Sequence, residues 1–452
     1  MESKSDFSKG NVNGIIIRLA IPLILAQLVQ VLYNVVDRIY IGHMENIGQT
    51  ALTGMGIVFP IILIIGAFTN LFGTGGAPLC SIERGKGNEK RAEKIMGNTF
   101  AMLIYTSILL MLVFYIFMKP FLYLFGASND TYSYAYGYFS IYLMGTPFFM
   151  IGTGMSGFIN CQGYTKIAMA ATVSGAVVNI ILDPVFIYTL NMGVKGAAVA
   201  TVISQIISAV LVMGFLFSKK TLLKIRKENL KIEIALLKKI TGLGAAGFIM
   251  SASTGLVQIT ANSTLKATGG DVYVGIMTVI NSIRDVVILP TSGFTQAVQP
   301  VIGFNLGARK YNRISQAIRF VTIFSVIYMI IAWALLFFFP ESFIRIFNSN
   351  PELIAKGVPA LHTFFFGMFM MSLQVAGQAV FVGMGYSKHA IFFSLLRKVI
   401  IVIPLTLILP YVWNLGENGV FLAEAVSNFV GGTACFTAMM ISVNKLLKSP
   451  EK

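Results

Sequence analysis

Residues 51–78 read ALTGMGIVFPIILIIGAFTNLFGTGGAP, a run with no Asp, Glu, Lys or Arg. About 20 residues at ~1.5 Å rise cross the hydrocarbon core of a bilayer as a helix, so this stretch is long enough to span it. A membrane β-barrel strand would alternate apolar and polar residues, and here the apolar residues are continuous. The basic stretch Gly85-Lys-Gly-Asn-Glu-Lys-Arg91 follows directly. Outward from this pair, apolar run and short polar connection alternate along the whole chain. Twelve spans are expected: 14–41, 51–78, 97–118, 133–160, 165–188, 193–217, 239–266, 272–304, 314–339, 354–383, 389–412 and 417–443. The expected fold class is therefore an all-α integral membrane protein.

Composition excludes the main alternatives. The 452 residues are 56% hydrophobic and 12% charged, against roughly 45–50% and 25% in soluble domains. Lys and Arg total 34 and Asp and Glu 18, a net charge of +16. A soluble nucleic-acid binder can be this basic but not this apolar, and a disordered chain cannot be this apolar either. Cys80, Cys161 and Cys435 lie in apolar stretches without CxxC or His spacing, so buried thiols are expected rather than a disulfide framework or a metal cluster. No Ser/His/Asp grouping emerges, and Gly73-Thr-Gly-Gly76 is not followed by the Gly-Lys-Ser/Thr of a phosphate loop. Neither an enzyme nor a cofactor is expected.

The charges orient the spans. Alternate connections hold 25 of the 34 basic residues, including eight between Lys219 and Lys239, while the other side holds six. By the positive-inside rule both termini and the central connection are expected in the cytoplasm. The net charge is then an orientation signal with affinity for an anionic inner leaflet.

The two halves match at a shift of about 222 residues. Pro78 answers Pro300, and Gly85–Arg91 answers Gly307-Ala-Arg-Lys-Tyr-Asn-Arg313. Phe121-Leu-Tyr-Leu-Phe125 answers Phe343-Ile-Arg-Ile-Phe347, and Gly163-Tyr164-Thr-Lys166 answers Gly385-Tyr386-Ser-Lys388. Gly193-Val-Lys-Gly196 answers Gly416-Glu-Asn-Gly419 at a shift of 223. Six spans per repeat is an even number, so the repeats enter from the same side and are parallel. The expected organisation is an N-terminal six-helix lobe (1–217), a cytoplasmic basic linker (218–238) and a C-terminal six-helix lobe (239–452) around a central cavity. Such repeats suit alternating access, whereas a channel usually shows a filter or a ring of charge.

A charge inside the bilayer costs ~2.5 kcal/mol or more and needs a reason. Asp37, Asn179, Asp183 and Thr201 fall in one depth band of the outer half of the first lobe, and Asn179 lies one turn before Asp183. Two carboxylates, an amide and a hydroxyl offer hard oxygens that can hold Na⁺ or share a proton. The plainer alternatives are an Asp37–Arg38 pair and an Asp183 that satisfies backbone freed by Pro184. The repeat puts Ile259 opposite Asp37, so the second lobe lacks this set. There Arg284, Asp285, Arg397 and Glu424 form a candidate network, structural or functional. Pro22 interrupts the first span and is either a hinge or an ordinary packing kink. Gln30, Tyr33 and Asn34 form a candidate polar stripe facing the cavity or bonding a neighbouring helix.

With these residues assembled, the sequence resembles the multidrug and toxic compound extrusion (MATE) family over nearly its whole length. The resemblance rests on Ala20-Ile21-Pro22, Asn34-Val-Val-Asp37, Asn179-Ile-Ile-Leu-Asp183-Pro184 and Gly196-Ala197-Ala198-Val-Ala-Thr201. It is closest to the bacterial branch whose cation site lies in the N-terminal lobe. It implies efflux of cationic amphipathic compounds in exchange for H⁺ or Na⁺, with no metal beyond a possible Na⁺. Asp37, Asn179, Asp183 and Thr201 would be the coupling residues, the Ala197 carbonyl a further ligand, and Pro22 the bending point. The bacterial cell membrane and a functional monomer are the matching expectations. A lipid-linked oligosaccharide flippase, with a related two-bundle architecture, is the nearest alternative. It should carry several basic residues in its cavity, and only Arg284, Arg397 and Lys398 are available inside.

Overall fold

The computed structural model describes residues 6–42, 44, 48–347, 350–412 and 415–448, with backbone alone at 38, 48–50, 52 and 271. All regular structure among these residues is helical. In chain order the helices are α1 Val12–Gly42, α2 Gly48–Gly85, α3 Glu89–Ile116, α4 Met118–Leu124, α5 Asn129–Cys161, α6 Thr165–Pro184, α7 Val194–Phe217 and α8 Ile234–Gly269. They continue as α9 Asp271–Gly307, α10 Tyr311–Phe338, α11 Pro340–Arg345, α12 Pro351–Phe365, α13 Met368–Gly383, α14 Ser387–Leu395, α15 Ile403–Ile408 and α16 Glu417–Lys448. Helices dominate because lipid offers backbone N–H and C=O groups no partner, so each segment must satisfy its own.

Ten helical segments among the described residues are long and apolar enough to span a bilayer, counting α6 with the π segment behind it as one and α14 through α15 as one, and the pair α12 and α13, bent by 44° at its break, makes an eleventh. The remaining expected span, 133–160, is occupied by α5. That helix carries no charge after Asp130, but tyrosines, glycines and hydroxyl residues interrupt its apolar run. The sequence reading of a multi-pass, all-helical protein holds. Two helices pass through a widened π-helical segment, Val185–Thr189 after α6 and Leu396–Val402 between α14 and α15.

The chain divides into two compact units. One comprises Ile21–Ser251 with the residues up to Asp6, the other Phe7–Ala20 with Ala252–Lys452. The division therefore runs along a different line from the expected 1–217 and 239–452. It cuts α1 beside Pro22 and cuts α8 near its middle. Through Pro22 itself α1 continues as a helix.

In the first unit α5 packs on α2, α3 and α7, and α6 packs on α7. Its core includes the fully buried Phe139, Phe158, Ile61 and Met96. The opening half of α8 joins this unit because α2 and α8 meet at glycines. A Cβ on Gly244 would sit 1.7 Å from the Leu71 carbonyl oxygen, and one on Gly75 2.1 Å from that of Ile240. Close backbone approach at small residues is how helices associate without a hydrophobic drive in lipid. The rings of Phe68 and Phe248 (5.1 Å) and the bond from Asn70 Nδ2 to Ser251 Oγ (3.1 Å) extend the seam.

The segment expected as a linker is strapped to the same unit. Gln162 Oε1 accepts from Thr221 Oγ1 (2.9 Å) and from the Leu222 (2.9 Å) and Leu223 (3.0 Å) amides. Glu93 accepts from the Lys224 amide and from Arg226 Nε, both at 2.9 Å. Asn98 accepts from the Glu233 amide at 2.8 Å and donates to the carbonyls of Asn229 and Lys231. In the second unit α13 packs on α16, α10 and α9 around Phe421, Phe381 and Ile280. There Arg313, Lys310 and Asn305 donate to the carbonyls of residues 7–10, which holds the buried Phe7 against Phe304. The three cysteines are free and buried, with Cys80 Sγ and Cys161 Sγ 3.8 Å apart.

The glycine seam is testable. Gly244→Val drives a side chain into backbone that cannot rotate away, and overpacking of this kind costs about 1–3 kcal/mol. The purified variant is expected to melt several degrees lower, whereas Gly242→Val, where a Cβ meets nothing within 4 Å, leaves Tm unchanged.

Candidate functional site

In the first unit four helices bring polar side chains into one buried cluster. Asn179 and Asp183 lie one turn apart on α6 and both are fully buried. The Asn179 amide nitrogen donates to Asp183 Oδ1 (3.3 Å) and to Thr201 Oγ1 on α7 (3.4 Å), so one side chain ties the two helices together. Close approach of the backbones makes this reach possible: a Cβ on Gly196 would lie 2.6 Å from the Phe186 carbonyl carbon. Ala197 next to it is fully buried. After these bonds Asp183 Oδ2 and Asn179 Oδ1 remain buried without a hydrogen-bond partner among the described residues. A buried acceptor left so is costly, and two together form an oxygen-lined place for a proton or a small cation.

Asp37 is buried on α1, 3% exposed. Tyr33, one turn earlier, and Tyr138 on α5 lie within electrostatic reach of Asp37. Tyr142, one turn after Tyr138, faces Gln205 on α7. Sequence reading missed Tyr138, Tyr142 and Gln205. A tyrosine in a membrane span reads as packing or interface until a neighbouring helix is known, and the only available signal was the i, i+4 spacing of Tyr138 with Tyr142 and Thr201 with Gln205.

Along the expected polar stripe of α1, Tyr33 is half-buried, and Gln30 and Asn34 are exposed. The expected alternative for Asp37, a pair with Arg38, falls on a side chain outside the described residues. For Asp183 the hydrogen-bond partner is Asn179 rather than freed backbone. Pro184 ends α6 and the chain widens into the π-helical segment behind it.

The second unit carries the other cluster. Arg397 Nη2 donates to Glu424 Oε1 and to Asn428 Oδ1 (2.7 Å), and Lys398 Nζ reaches the same Glu424 oxygen at 3.4 Å. All four of these residues are buried. Of the network expected there, the Arg397–Glu424 pair forms. Arg284 and Asp285 instead pair with each other at 3.0 Å, and the Asp285 side chain is 64% exposed. Lys398 and Asn428 were not part of the expected network. Adjacent residues on an α-helix diverge by ~100°, whereas the wider π-helical turn over Leu396–Val402 lets Arg397 and Lys398 address one carboxylate. Ile259, which the repeat puts opposite Asp37, is exposed.

The MatE family profile matches residues 22–185 and 246–408, once in each repeat. The multidrug export protein MepA of Staphylococcus haemolyticus is 25% identical over 446 residues, covering 96% of this chain and 94% of that protein. MepA of Staphylococcus aureus is 22% identical, covering 88% of this chain and 87% of that one. A multidrug resistance MATE family transporter solved in an outward-facing conformation superposes with a TM-score of 0.92 at 23% identity, covering 98% of each chain.

Asn179 holds the first cluster together. Asn179→Val leaves Asp183 Oδ1 and the Thr201 hydroxyl short of a donor, an expected cost of about 1–3 kcal/mol. A fall in Tm of the purified variant, scanned in detergent, checks it.

Proposed function

The chain belongs to the MatE family, and from that premise we propose that it is a multidrug exporter, a transporter rather than a catalyst, that moves cationic amphipathic compounds out of the cell in exchange for H⁺ or Na⁺. The substrate class and the coupling ion are the finer parts of this reading. The observation that carries it is Asp183: a buried carboxylate with one oxygen bonded to Asn179 and the other unpartnered among the described residues. Such an oxygen can take a proton or, with further oxygens around it, Na⁺, since both prefer hard oxygen donors. Asp37 is buried in the same unit, with Tyr33 and Tyr138 within reach of its field.

On this reading Asp37 and Asp183 take up the incoming cation, with Asn179 and Thr201 orienting the carboxylates and the Ala197 carbonyl a further ligand. Uptake cancels charge that the low-dielectric surroundings hold at a cost. The two charge states of the cluster therefore favour different conformations of the helices that carry it. Drug and cation need not touch; each need only bias the same two states in opposite directions. Pro22 supports a bend in α1, because proline removes one bond of the helical ladder, and the boundary between the compact units falls beside it. Phe, Tyr and Met, present as 36, 17 and 22 residues, supply surfaces that adapt to varied apolar shapes. The charge asymmetry of the connections supports cytoplasmic termini in a bacterial plasma membrane, and the paired repeats support function as a monomer.

The test is dye export from proteoliposomes with pH and Na⁺ gradients imposed separately. At least one gradient is expected to drive export, and Asp37→Asn and Asp183→Asn are each expected to abolish it while reaching the membrane at normal levels. Export that survives in both variants overturns the reading.

A further inference from the structure

The buried cluster of the second unit holds more positive charge than negative. Arg397 and Lys398 are 7% and 9% exposed, and the acid between them is Glu424. One oxygen of Glu424 serves both cations. Arg284 stands on the same cleft, which Lys398, Glu424, Gln258, Asn281 and Thr254 also line. Its own partner, Asp285, is largely exposed and so neutralises it weakly.

The donors outnumber the acceptors as well. Arg397 Nη2 is committed to Glu424 and Asn428, while its Nε is buried without a hydrogen-bond partner among the described residues. An ammonium has three donors, and the one bond described for Lys398 is long at 3.4 Å. A matched buried pair would be a structural device. A surplus cation held out of water is expensive unless an anion answers it.

The position of the cluster adds to the case. At the shift of 223 that aligns Gly196 with Gly419, Glu424 stands where the first repeat has Thr201, and Asn428 where it has Gln205. One helix face, used twice, thus carries an acid-rich cluster in one repeat and a base-rich cluster in the other.

We propose that this cleft binds one oxyanionic group, a carboxylate or phosphate, held by Lys398 and Arg284. Gln258 and Asn281 supply amide donors at its wall, and Arg397 acts as a positioning residue that fixes Glu424 behind the site. The anion replaces the weak Lys398–Glu424 contact and balances the surplus charge. Its source is either a soluble compound that carries a carboxylate or the phosphate of a lipid headgroup. The inference rests on none of the coupling roles assigned above, so its failure and theirs are separate results.

The experiment uses the full chain in phosphatidylcholine nanodiscs, titrated with sodium 4-fluorobenzoate at constant ionic strength and followed by ¹⁹F line width. Saturable binding is expected. Lys398→Gln should weaken it at least about tenfold, the loss of one charge-assisted contact, while Lys398→Arg restores most of it. Glu424→Gln removes the competing acceptor and should tighten it. Repeating the titration with phosphatidylglycerol in the disc separates the sources: competition points to the lipid headgroup, its absence to the soluble anion. No saturable binding to the unmodified chain, or binding that Lys398→Gln leaves unchanged, overturns the proposal. If Lys398→Gln does not purify as a folded protein, Glu424→Gln decides, and binding no tighter than in the unmodified chain overturns it.

Discussion

A charge at the centre of a membrane helix costs ~2.5–3.5 kcal/mol on insertion scales, and one left without a partner in a packed interior costs more. Both units of this protein are arranged around that cost. In the first, Asp183 is answered by the amide of Asn179, which spends its other hydrogen on Thr201. In the second, Glu424 is answered by Arg397 and Lys398 together. The two answers differ in kind. A neutral amide leaves an acid that can still accept a proton or cation, whereas two cations around one acid leave positive charge over. The same repeated scaffold thereby presents opposite chemistry in its two copies.

The helices that hold these groups meet through small residues, because lipid is as apolar as the side chains and supplies no hydrophobic drive to bring helices together. Gly75 and Gly244 let α2 and α8 touch at the backbone, and Gly196 lets α7 approach the segment after α6 closely enough for Asn179 to reach Thr201. Polar straps at the ends do the rest. Glu93, Asn98 and Gln162 hold the connection between the repeats against the first unit, so a stretch that reads as a basic linker is a docked part of a bundle.

Much was legible before any coordinates. Continuous apolar runs identify spans because a bilayer demands ~20 such residues in a row. Five matched motifs, in order at shifts of 222 or 223, identify the duplication. The i, i+4 spacing of Asn179 and Asp183 puts them on one face by helical geometry alone. The limits are equally physical. Hydropathy finds the span that α5 occupies but says nothing of Tyr138, which lies within electrostatic reach of Asp37. The burial of each member of the stripe Gln30, Tyr33, Asn34 depends on what lies beside α1, which its spacing does not state.

Sequence by itself determined that this is a helical, duplicated membrane protein, and that Asn179 and Asp183 share one helix face. Those properties follow from local periodicity, composition and repeat spacing, each of which is written along one chain. Tertiary structure alone decided that the compact units are cut within α1 and α8, that Tyr138 comes within electrostatic reach of Asp37, and that Lys398 shares an acid with Arg397. Each of these depends on which helix stands next to which. That is set by close backbone contact at glycines and by one widened helical turn, neither of which leaves a period in the sequence to read.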